Sequence, residues 1–360
     1  MKILVLSCNT GGGHNACARY ITEEFKDHNI TCEFVDYMTF LGKNASLKAE
    51  KLYLQTLKGN GNMFKIVYKL GEIYNSIGWQ SPIYQFNKKA KDNLWQYIQD
   101  NNYNLCISTH VFPSMCLTEI KKSHKISFVN VATDYECIPF WNETIADLFI
   151  IPSESLKKRF ITKGIKENTL VPLGIPVASN FYCQSKLKFN TDKKIVLLFS
   201  GSMGFGQMEK VVLNIVENVN CYLVVVCGSN KKLKEKLEKL NNENLKVYGF
   251  VNNMNEFINS ADIVVAKPGG LSITEITNFY KPLVIMMPIP GVEDYNAKFF
   301  TDRNMALNAK NVVDVSNCVN KLLQTEQLRN SLMDNQKKYM HRNSAKSLVE
   351  YIEQWVMENE

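Results

Sequence analysis

The sequence predicts an α/β fold with two doubly wound domains, and three observations support this. Short β-rich runs alternate with helical patterns, which is typical of parallel sheets covered by helices. A strand followed by a glycine-rich loop and a helix occurs twice, at Gly11–His14 and at Gly201–Gly206. The length of 360 residues exceeds the usual size of one hydrophobic core, so two domains are expected.

The first half of the chain contains a series of candidate strands, each a short apolar run bounded by turn residues. They are Lys2–Ser7, Cys32–Val35, Leu105–Ser108, Ile126–Val131, Leu148–Ile151 and Thr169–Val171. We expect these strands to form an N-terminal domain at residues 1–173. Residues 174–193 lack a clear periodicity and are interpreted as a linker.

The second half repeats the alternation and then becomes helical from Val312 onward. Its candidate strands are Ile195–Ser200, Tyr222–Cys227, Leu245–Tyr248, Ile263–Ala266 and Leu283–Met287. We expect a C-terminal domain at residues 194–335, and a final helix within 336–360 that packs back toward the first domain. In such folds ligands bind at the carboxyl ends of the strands, so a cleft between the domains is the predicted active site.

Composition indicates an ordinary globular protein, with 45% hydrophobic and 21% charged residues. No apolar run approaches the roughly 20 residues that a membrane-spanning helix needs. The N-terminus reads as a strand and not as a signal peptide. Ten cysteines are scattered without a C-x-x-C pair or zinc-like spacing, and some, such as Cys106 and Cys227, lie in apolar runs. A reducing, cytoplasmic setting is expected.

The first glycine loop, Gly11-Gly12-Gly13-His14, matches neither of two familiar phosphate-binding patterns. A P-loop requires Gly-Lys-Ser/Thr, and a dinucleotide fingerprint requires G-x-G-x-x-G. Two interpretations remain: an oxygen-rich or anionic group at the amides of a helix N-terminus, or a tight turn that needs a positive φ. His14 favours the first slightly, because it adds a titratable nitrogen beside the loop.

The most specific segment is "ADIVVAKPGGLSITEITNFYKPLVIMMPIPGVEDYNAKFF". A buried strand ends at Lys267-Pro268, turns through Gly269-Gly270 and is expected to enter a helix capped by Ser272. The pattern Ser272-x-x-Glu275 would then be a capping box, which gives Glu275 a purely structural explanation. The next strand runs into a second Pro/Gly loop that precedes Glu293 and Asn296. Polar groups that converge from adjacent strand ends are what a bound sugar nucleotide needs.

These segments resemble glycosyltransferase family 28, and most closely the monogalactosyldiacylglycerol synthase and processive diacylglycerol glucosyltransferase group. The shared motifs are "GGGH", "VATDY", "IPSES", "LGIPV", "SGSMGFGQ", "VYGFVNNM", "KPGGLSITE" and "PGVEDYNAKFF". They follow the family order across nearly the whole chain, and the last three together are the most specific. One departure is Ile138, which stands where relatives often carry a histidine, ahead of Trp141.

The resemblance implies a GT-B fold of two Rossmann-like domains, with the donor in the C-terminal domain and the acceptor in the N-terminal one. It also implies an inverting transfer from a UDP-sugar without a catalytic metal or other cofactor. The absence of a D-x-D motif agrees with a reaction that needs no metal. Backbone amides and helix dipoles would then stabilise the leaving diphosphate.

The resemblance assigns donor-binding roles to several positions. Phe250 would border the uracil, and Glu275 would accept hydrogen bonds from the ribose hydroxyls. The remaining donor positions divide into diphosphate-binding residues and two residues that touch the sugar hydroxyls. They are Ser202, Met203, Gly204, Gly269 and Gly270 for the diphosphate, and Glu293 and Asn296 for the sugar. A solvated loop carboxylate is the alternative for Glu293.

An inverting transfer needs a general base for the acceptor hydroxyl, and His14 and Asp134 are the candidates. We favour His14 as the base or acceptor-positioning group, with Asp134 as its orienting partner or substitute. Asp134 could instead cap the turn that follows it. Gly12, Gly13 and Trp141 are the expected acceptor-binding residues, so the first glycine loop becomes an acceptor-side turn.

The stretch from Lys43 to Tyr97 carries most of the net charge of +7, because nine lysines face only Glu50, Glu72 and Asp92. The same stretch contains nine aromatic residues. Such a pattern fits an amphipathic surface on an anionic membrane, or a helix that packs on the sheet with solvated lysines opposite. Because the expected acceptor is a lipid, we favour the interpretation of this stretch as a membrane-binding surface. Nucleic acid is not an expected partner, because no binding motif occurs.

The sequence therefore predicts a cytoplasmic enzyme at the inner face of the cell membrane, transferring a hexosyl group from a UDP-sugar to a lipid, diacylglycerol in the first place. One alternative is transfer of N-acetylglucosamine from its UDP-sugar to a polyprenyl-diphosphate lipid. Others are a UDP-sugar 2-epimerase and a regulator that binds UDP-sugar without turnover.

Overall fold

The structure is a computed structural model, and it describes residues 1–9, 12–42, 80–201, 207–288 and 290–359. Three kinds of predicted feature lie outside these residues. They are the diphosphate-binding residues Ser202, Met203 and Gly204, residues 43–79 of the basic aromatic stretch, and Gly11 of the first glycine loop.

Twelve strands in the described residues form two six-stranded sheets, and every strand pair is parallel. The first sheet contains β1 Lys2–Ser7, β2 Thr31–Asp36, β3 Leu105–Ser108, β4 Ser127–Val131, β5 Leu148–Ile150 and β6 Leu170–Val171. The second contains β7 Ile195–Phe199, β8 Tyr222–Val226, β9 Leu245–Tyr248, β10 Ile263–Ala266, β11 Leu283–Met286 and β12 Leu307–Ala309. The predicted α/β fold with two doubly wound sheets is confirmed.

The α-helices of the described residues connect these strands and cover both sheets. They are α1 Gly12–Asp27, α2 Pro82–Asn87, α3 Lys91–Asp100, α4 Val111–Lys121, α5 Lys157–Thr162, α6 Met208–Asn218, α7 Lys231–Glu238, α8 Met254–Ser260, α9 Gly270–Asn278, α10 Val292–Thr301, α11 Val312–Gln324, α12 Glu326–Tyr339 and α13 Ser344–Asn359.

The eleven predicted strands are present, with ends that differ by at most one residue. They were recognisable because strands buried on both faces read as continuous Val/Ile/Leu runs. The prediction missed β12, whose three residues include the exposed Asn308. Its pairing with β11 makes it a strand, and that contact leaves no local signal.

Each sheet has a point at which the strand order reverses. The order β2-β1-β3-β4-β5-β6 reverses between β1 and β3, and β12-β11-β10-β7-β8-β9 reverses between β7 and β10. Ligands of doubly wound folds bind outside the carboxyl ends of the strands at this point. The loops after β1, β3, β7 and β10 are therefore the places to look for a site.

Contacts divide the chain into two compact units. The first comprises Met1–Ser179, Pro290–Val292 and His341–Glu360, and the second comprises Asn180–Ile289 and Glu293–Met340. Each unit has its own core, with Leu4, Leu6 and Phe128 in the first and Val196, Val225 and Val265 in the second. Helix α13 belongs to the first unit and packs against α1.

Cys106 and Cys227 are buried, as expected from their apolar surroundings, and the ten cysteines are free thiols. None of the helices among the described residues is long and apolar enough to span a membrane.

Candidate active site

Three loops meet at the carboxyl edge of the first sheet and bring together the histidine site, which we define as His14, Thr109, His110, Thr133 and Asp134. His14 lies in the first turn of α1, which follows β1. Thr109 and His110 follow β3, and Thr133 and Asp134 follow β4. Because β1, β3 and β4 are parallel neighbours, their carboxyl ends lie side by side.

Two hydrogen-bond partners fix the ring of His14. Its Nδ1 lies 3.2 Å from the carbonyl oxygen of Thr109 and 2.7 Å from the hydroxyl oxygen of Thr133. The roles in these two contacts depend on the tautomer of His14: when Nδ1–H donates to the Thr109 carbonyl, which can only accept, Nε2 carries the lone pair. The Thr109 hydroxyl donates to the His14 carbonyl at 3.1 Å, which ties the two loops together. In that tautomer Nε2 is the basic atom of His14.

Burial lowers the pKa of His14 below its ordinary value, and this effect outweighs two others that raise the pKa. These are the negative charge of Asp134 and the hydrogen bond to the Thr109 carbonyl. The imidazole is therefore neutral at neutral pH, which is the state that a general base requires. Asp134 lies close enough to stabilise the imidazolium that would form when His14 accepts a proton.

A second histidine, His110, completes the site and was not singled out from the sequence. Its ring meets that of His14 edge to face, with centroids 4.8 Å apart. Its Nδ1 accepts a hydrogen bond from the Phe112 amide at 3.2 Å and caps α4. Burial and the proximity of His14 hold the pKa of His110 well below its ordinary value, so it stays neutral. The signal available in the sequence was a Thr-His pair directly after a buried strand.

The expected acceptor-binding residues lie in two different environments. Gly12 and Gly13 are the first residues of α1, next to His14, and Gly13 is exposed. Trp141 lies in a short 3-10 turn, is only 3% exposed, and packs edge to face on Phe149 with ring centroids 4.9 Å apart. The acceptor-binding roles of these three residues stay predictions.

The second sheet carries what we call the glycine-loop site, defined as Lys267, Gly269, Gly270, Glu275, Glu293 and Asn296. Helix α9 begins at Gly270, with Gly269 as its N-cap residue and no side-chain cap. The predicted capping by Ser272 is therefore wrong, because the helix begins two residues earlier and Ser272 lies inside its first turn. The amides of an uncapped helix N-terminus are suited to bind an anion.

Glu275 lies on α9 and is only 7% exposed. The capping box that would have explained this carboxylate does not form, since α9 begins at Gly270. Glutamate is rarely buried to this degree in proteins. The contact of Glu275 with the ribose hydroxyls stays a prediction.

Helix α10 is connected to the glycine loop through two side chains. The Asn296 amide nitrogen donates to the Pro268 carbonyl at 3.0 Å, and Asn296 is fully buried. Glu293 Oε1 lies 3.0 Å from Lys267 Nζ, with side chains that are 16% and 14% exposed. The solvated position considered for Glu293 is thus wrong. Lys267 received no role from the sequence, although it directly follows a buried strand and precedes the two glycines.

Phe250 lies in the loop between β9 and α8, and its side chain is 65% exposed. An exposed phenylalanine is free to stack on a planar base, so its predicted place beside the uracil stays open to test. Within the described residues, no group of three or more His, Cys, Asp or Glu side chains is arranged to hold a metal ion.

Two family models match the chain in sequence order. Residues 14–177 match the monogalactosyldiacylglycerol (MGDG) synthase model, and residues 195–353 match the glycosyltransferase family 28 C-terminal domain. The processive diacylglycerol beta-glucosyltransferase of Bacillus pumilus (strain SAFR-032) is 27% identical, over 98% of this chain and 94% of the relative.

Solved structures show the same fold at low sequence identity. MurG of Acinetobacter baumannii has a TM-score of 0.65 at 13% identity, covering 98% of this chain and 99% of that one. The UDP-GlcNAc 2-epimerase of Neisseria meningitidis has a TM-score of 0.61 at 12% identity, covering 98% and 100%. At such identities the likeness concerns the fold alone.

The two doubly wound units, each with a polar site at the carboxyl edge of its sheet, have the GT-B fold. The two family models cover both halves of the chain. This protein belongs to glycosyltransferase family 28, and its N-terminal half is of the monogalactosyldiacylglycerol synthase type.

Proposed function

We propose that this glycosyltransferase transfers a hexosyl group from a UDP-sugar to diacylglycerol with inversion at the anomeric carbon. The observation that carries the proposal is the orientation of His14, whose Nδ1 is bound to the Thr109 carbonyl so that Nε2 is left basic. The names of the curated relatives supply the acceptor and the class of reaction.

In the proposed mechanism, Nε2 of His14 removes the proton from the acceptor hydroxyl as its oxygen attacks the anomeric carbon. The new C–O bond forms on the face opposite to the departing UDP diphosphate, which keeps the electron pair of the broken bond. Asp134 stabilises the imidazolium, whose pKa its charge raises. The amides at the start of α9 stabilise the negative charge on the diphosphate.

We also propose that no catalytic metal takes part and that the enzyme acts at the inner face of the cell membrane. The described part of the basic aromatic stretch supports a membrane surface. Phe86 is 50% exposed and Lys89 Nζ lies 6.0 Å from its ring centre, whereas Tyr84 is fully buried. An exposed aromatic side chain among lysines suits an anionic lipid surface.

The test is UDP release from UDP-glucose, UDP-galactose and UDP-N-acetylglucosamine, each with and without diacylglycerol in anionic vesicles, and with and without EDTA. We expect release that requires the lipid and one sugar, withstands EDTA and yields the inverted anomer by NMR. Glu275→Ala and His14→Gln should abolish it, whereas His28→Gln, a histidine just beyond the other end of α1, should retain it.

Other outcomes would identify the competing functions. Acceptor-independent conversion of the UDP-sugar would indicate an epimerase. Release that requires a polyprenyl-diphosphate lipid would change the acceptor, and binding of UDP-sugar without turnover would indicate a regulator.

A further inference from the structure

The Lys267–Glu293 ion pair connects two adjacent strand ends of the second unit. Lys267 is the first residue after β10, and Glu293 lies in the first turn of α10, which follows β11. Strands β10 and β11 are parallel neighbours. The pair therefore lies at the same edge of the sheet as Gly269, the N-cap residue of α9, and Gly270, the first residue of that helix.

The pair is far less exposed than an ordinary surface ion pair. Its side chains are 14% and 16% exposed, whereas those of Lys298 and Asp302, also on α10, are 62% and 51% exposed. Removing two charges from water is costly, and the attraction between them often only offsets that cost. Stability alone is thus a weak reason for such a pair, and a role in placing the carboxylate is a stronger one.

The backbone around Lys267 is itself fixed. Asn296, fully buried on α10, donates to the carbonyl of Pro268 at 3.0 Å. The loop and the helix are thereby joined once through Asn296 and once through the ion pair. An ammonium on a fixed loop restricts the orientations that the Glu293 carboxylate can adopt. A carboxylate offers about four lone-pair sites, so pairing with Lys267 does not exhaust its capacity to accept hydrogen bonds.

We propose that Lys267 is a positioning residue that holds the Glu293 carboxylate against the hexose of the UDP-sugar, so that this ion pair determines which hexose is accepted. The proposal rests on the proposed function, because it requires a UDP-sugar in the glycine-loop site. A carboxylate fixed in one orientation accepts from a hydroxyl of one configuration and is left unsatisfied by the epimer. The diphosphate, in contrast, is bound by the backbone amides of α9.

The opposing interpretation is that the Lys267 ammonium binds the diphosphate directly. The two interpretations differ for UDP, which has the diphosphate but lacks the sugar. If Lys267 acts through Glu293, its loss weakens binding of the UDP-hexose and leaves UDP binding unchanged. If it binds the diphosphate, both ligands weaken together.

The experiment measures by calorimetry the Kd of UDP, UDP-glucose and UDP-galactose for the full-length protein and its variants. We expect the parent to prefer one hexose. Lys267→Met and Glu293→Gln should each weaken that UDP-hexose roughly 10- to 100-fold and remove the preference, with the Kd of UDP unchanged. Lys267→Arg should retain part of the preference, and the double variant should bind no more weakly than either single one. Lys298→Met, on the exposed pair, should match the parent.

A parallel rise in the Kd of UDP in Lys267→Met or Lys267→Arg would overturn the proposal, and so would an unchanged preference in Glu293→Gln. Should Lys267→Met lose UDP binding through misfolding, Lys267→Arg and Glu293→Gln decide the question by the same comparison. Because the assay needs no lipid, its failure is separable from that of the proposed function. A parent that binds no UDP-sugar contradicts the function, whereas a parent whose preference survives in the variants contradicts only this inference.

Discussion

At the scale of single residues, the chemistry of His14 is set by neighbours that are distant in sequence. Nδ1 of His14 lies 3.2 Å from the Thr109 carbonyl oxygen and 2.7 Å from the Thr133 hydroxyl oxygen. Burial and the charge of Asp134 act on its pKa in opposite directions, and burial prevails. A histidine in a glycine loop can be a turn residue, but here the imidazole is neutral and held by two hydrogen-bond partners, as the proposed general base requires.

The first prediction concerns the pH dependence of transfer. The reaction needs neutral His14, so kcat should fall as the pH drops through the pKa of this residue, which lies below the ordinary value of about 6.5. Because the Asp134 charge raises that pKa, Asp134→Asn should lower it further and move the acidic limb of the kcat profile to lower pH. His14→Gln should reduce kcat by roughly 10²- to 10⁴-fold.

The measurement is kcat between pH 5 and pH 8, the range in which an ordinary histidine titrates. His28→Gln serves as the control and should leave the profile in place. An acidic limb that stays where it is in Asp134→Asn, or moves upward, would show that His14 is not the titrating base.

At the scale of secondary-structure elements, one motif shared with the family also has a structural role. The motif "LGIPV" contains Gly174, which follows β6 and has a φ of +88°. A Cβ there would collide with Ser344 Oγ and lie 2.9 Å from His341 Cβ. The absence of a Cβ at Gly174 thus allows the backbone to approach His341 and Ser344 at the start of α13, within the first unit.

Gly174→Ala should accordingly lower the free energy of unfolding by about 2 to 4 kcal/mol, from about 1 kcal/mol of backbone strain and about 1 to 3 kcal/mol of crowding. Gly164→Ala is the matched control, since its φ is +95° but the nearest atom, Asn142 Cβ, lies at an ordinary 3.5 Å. Urea denaturation of both variants gives the comparison. Equal losses would mean that close approach to α13 contributes nothing.

At the scale of the whole molecule, the charge is distributed unevenly, with most of the excess of +7 between Lys43 and Tyr97. The structure describes residues 80–97 of that stretch, and some of their side chains are buried whereas others are exposed. Tyr84 and Leu94 are fully buried, Leu94 in the core of the first unit, while Phe86 is 50% exposed. One part of the pattern therefore belongs to the core, and the other part is available to a lipid surface.

We predict that Phe86→Ser weakens binding to anionic vesicles roughly 3- to 10-fold, because one half-exposed aromatic side chain contributes about 1 kcal/mol. Val313→Ser, on α11 of the second unit and 57% exposed, is the control and should bind like the parent. Sedimentation with anionic and neutral vesicles measures both. Binding should also weaken at high salt. Equal binding to neutral vesicles, or equal effects of the two substitutions, would contradict a membrane surface at Phe86.

By itself, the sequence determined the α/β architecture of this protein and the loops in which the candidate sites lie. Buried parallel strands carry a local signal, so the eleven other strands and the loops at their carboxyl ends could be predicted. The short β12 and the true start of α9 could not. β12 is a strand because it pairs with β11. The start of α9 at Gly270 coincides with the burial of Gly270 and Leu271.

Only the tertiary structure decided which side chains lie in contact with one another. The His14–His110 contact and the Lys267–Glu293 pair each join loops that are far apart in the chain. Parallel strands bring such loops to one edge of a sheet, and a sequence read from one end to the other records no distance between them. The hydrogen-bond partners of His14 and the ion pair of Glu293 follow from those distances, because hydrogen bonds and ion pairs act only over a few ångströms.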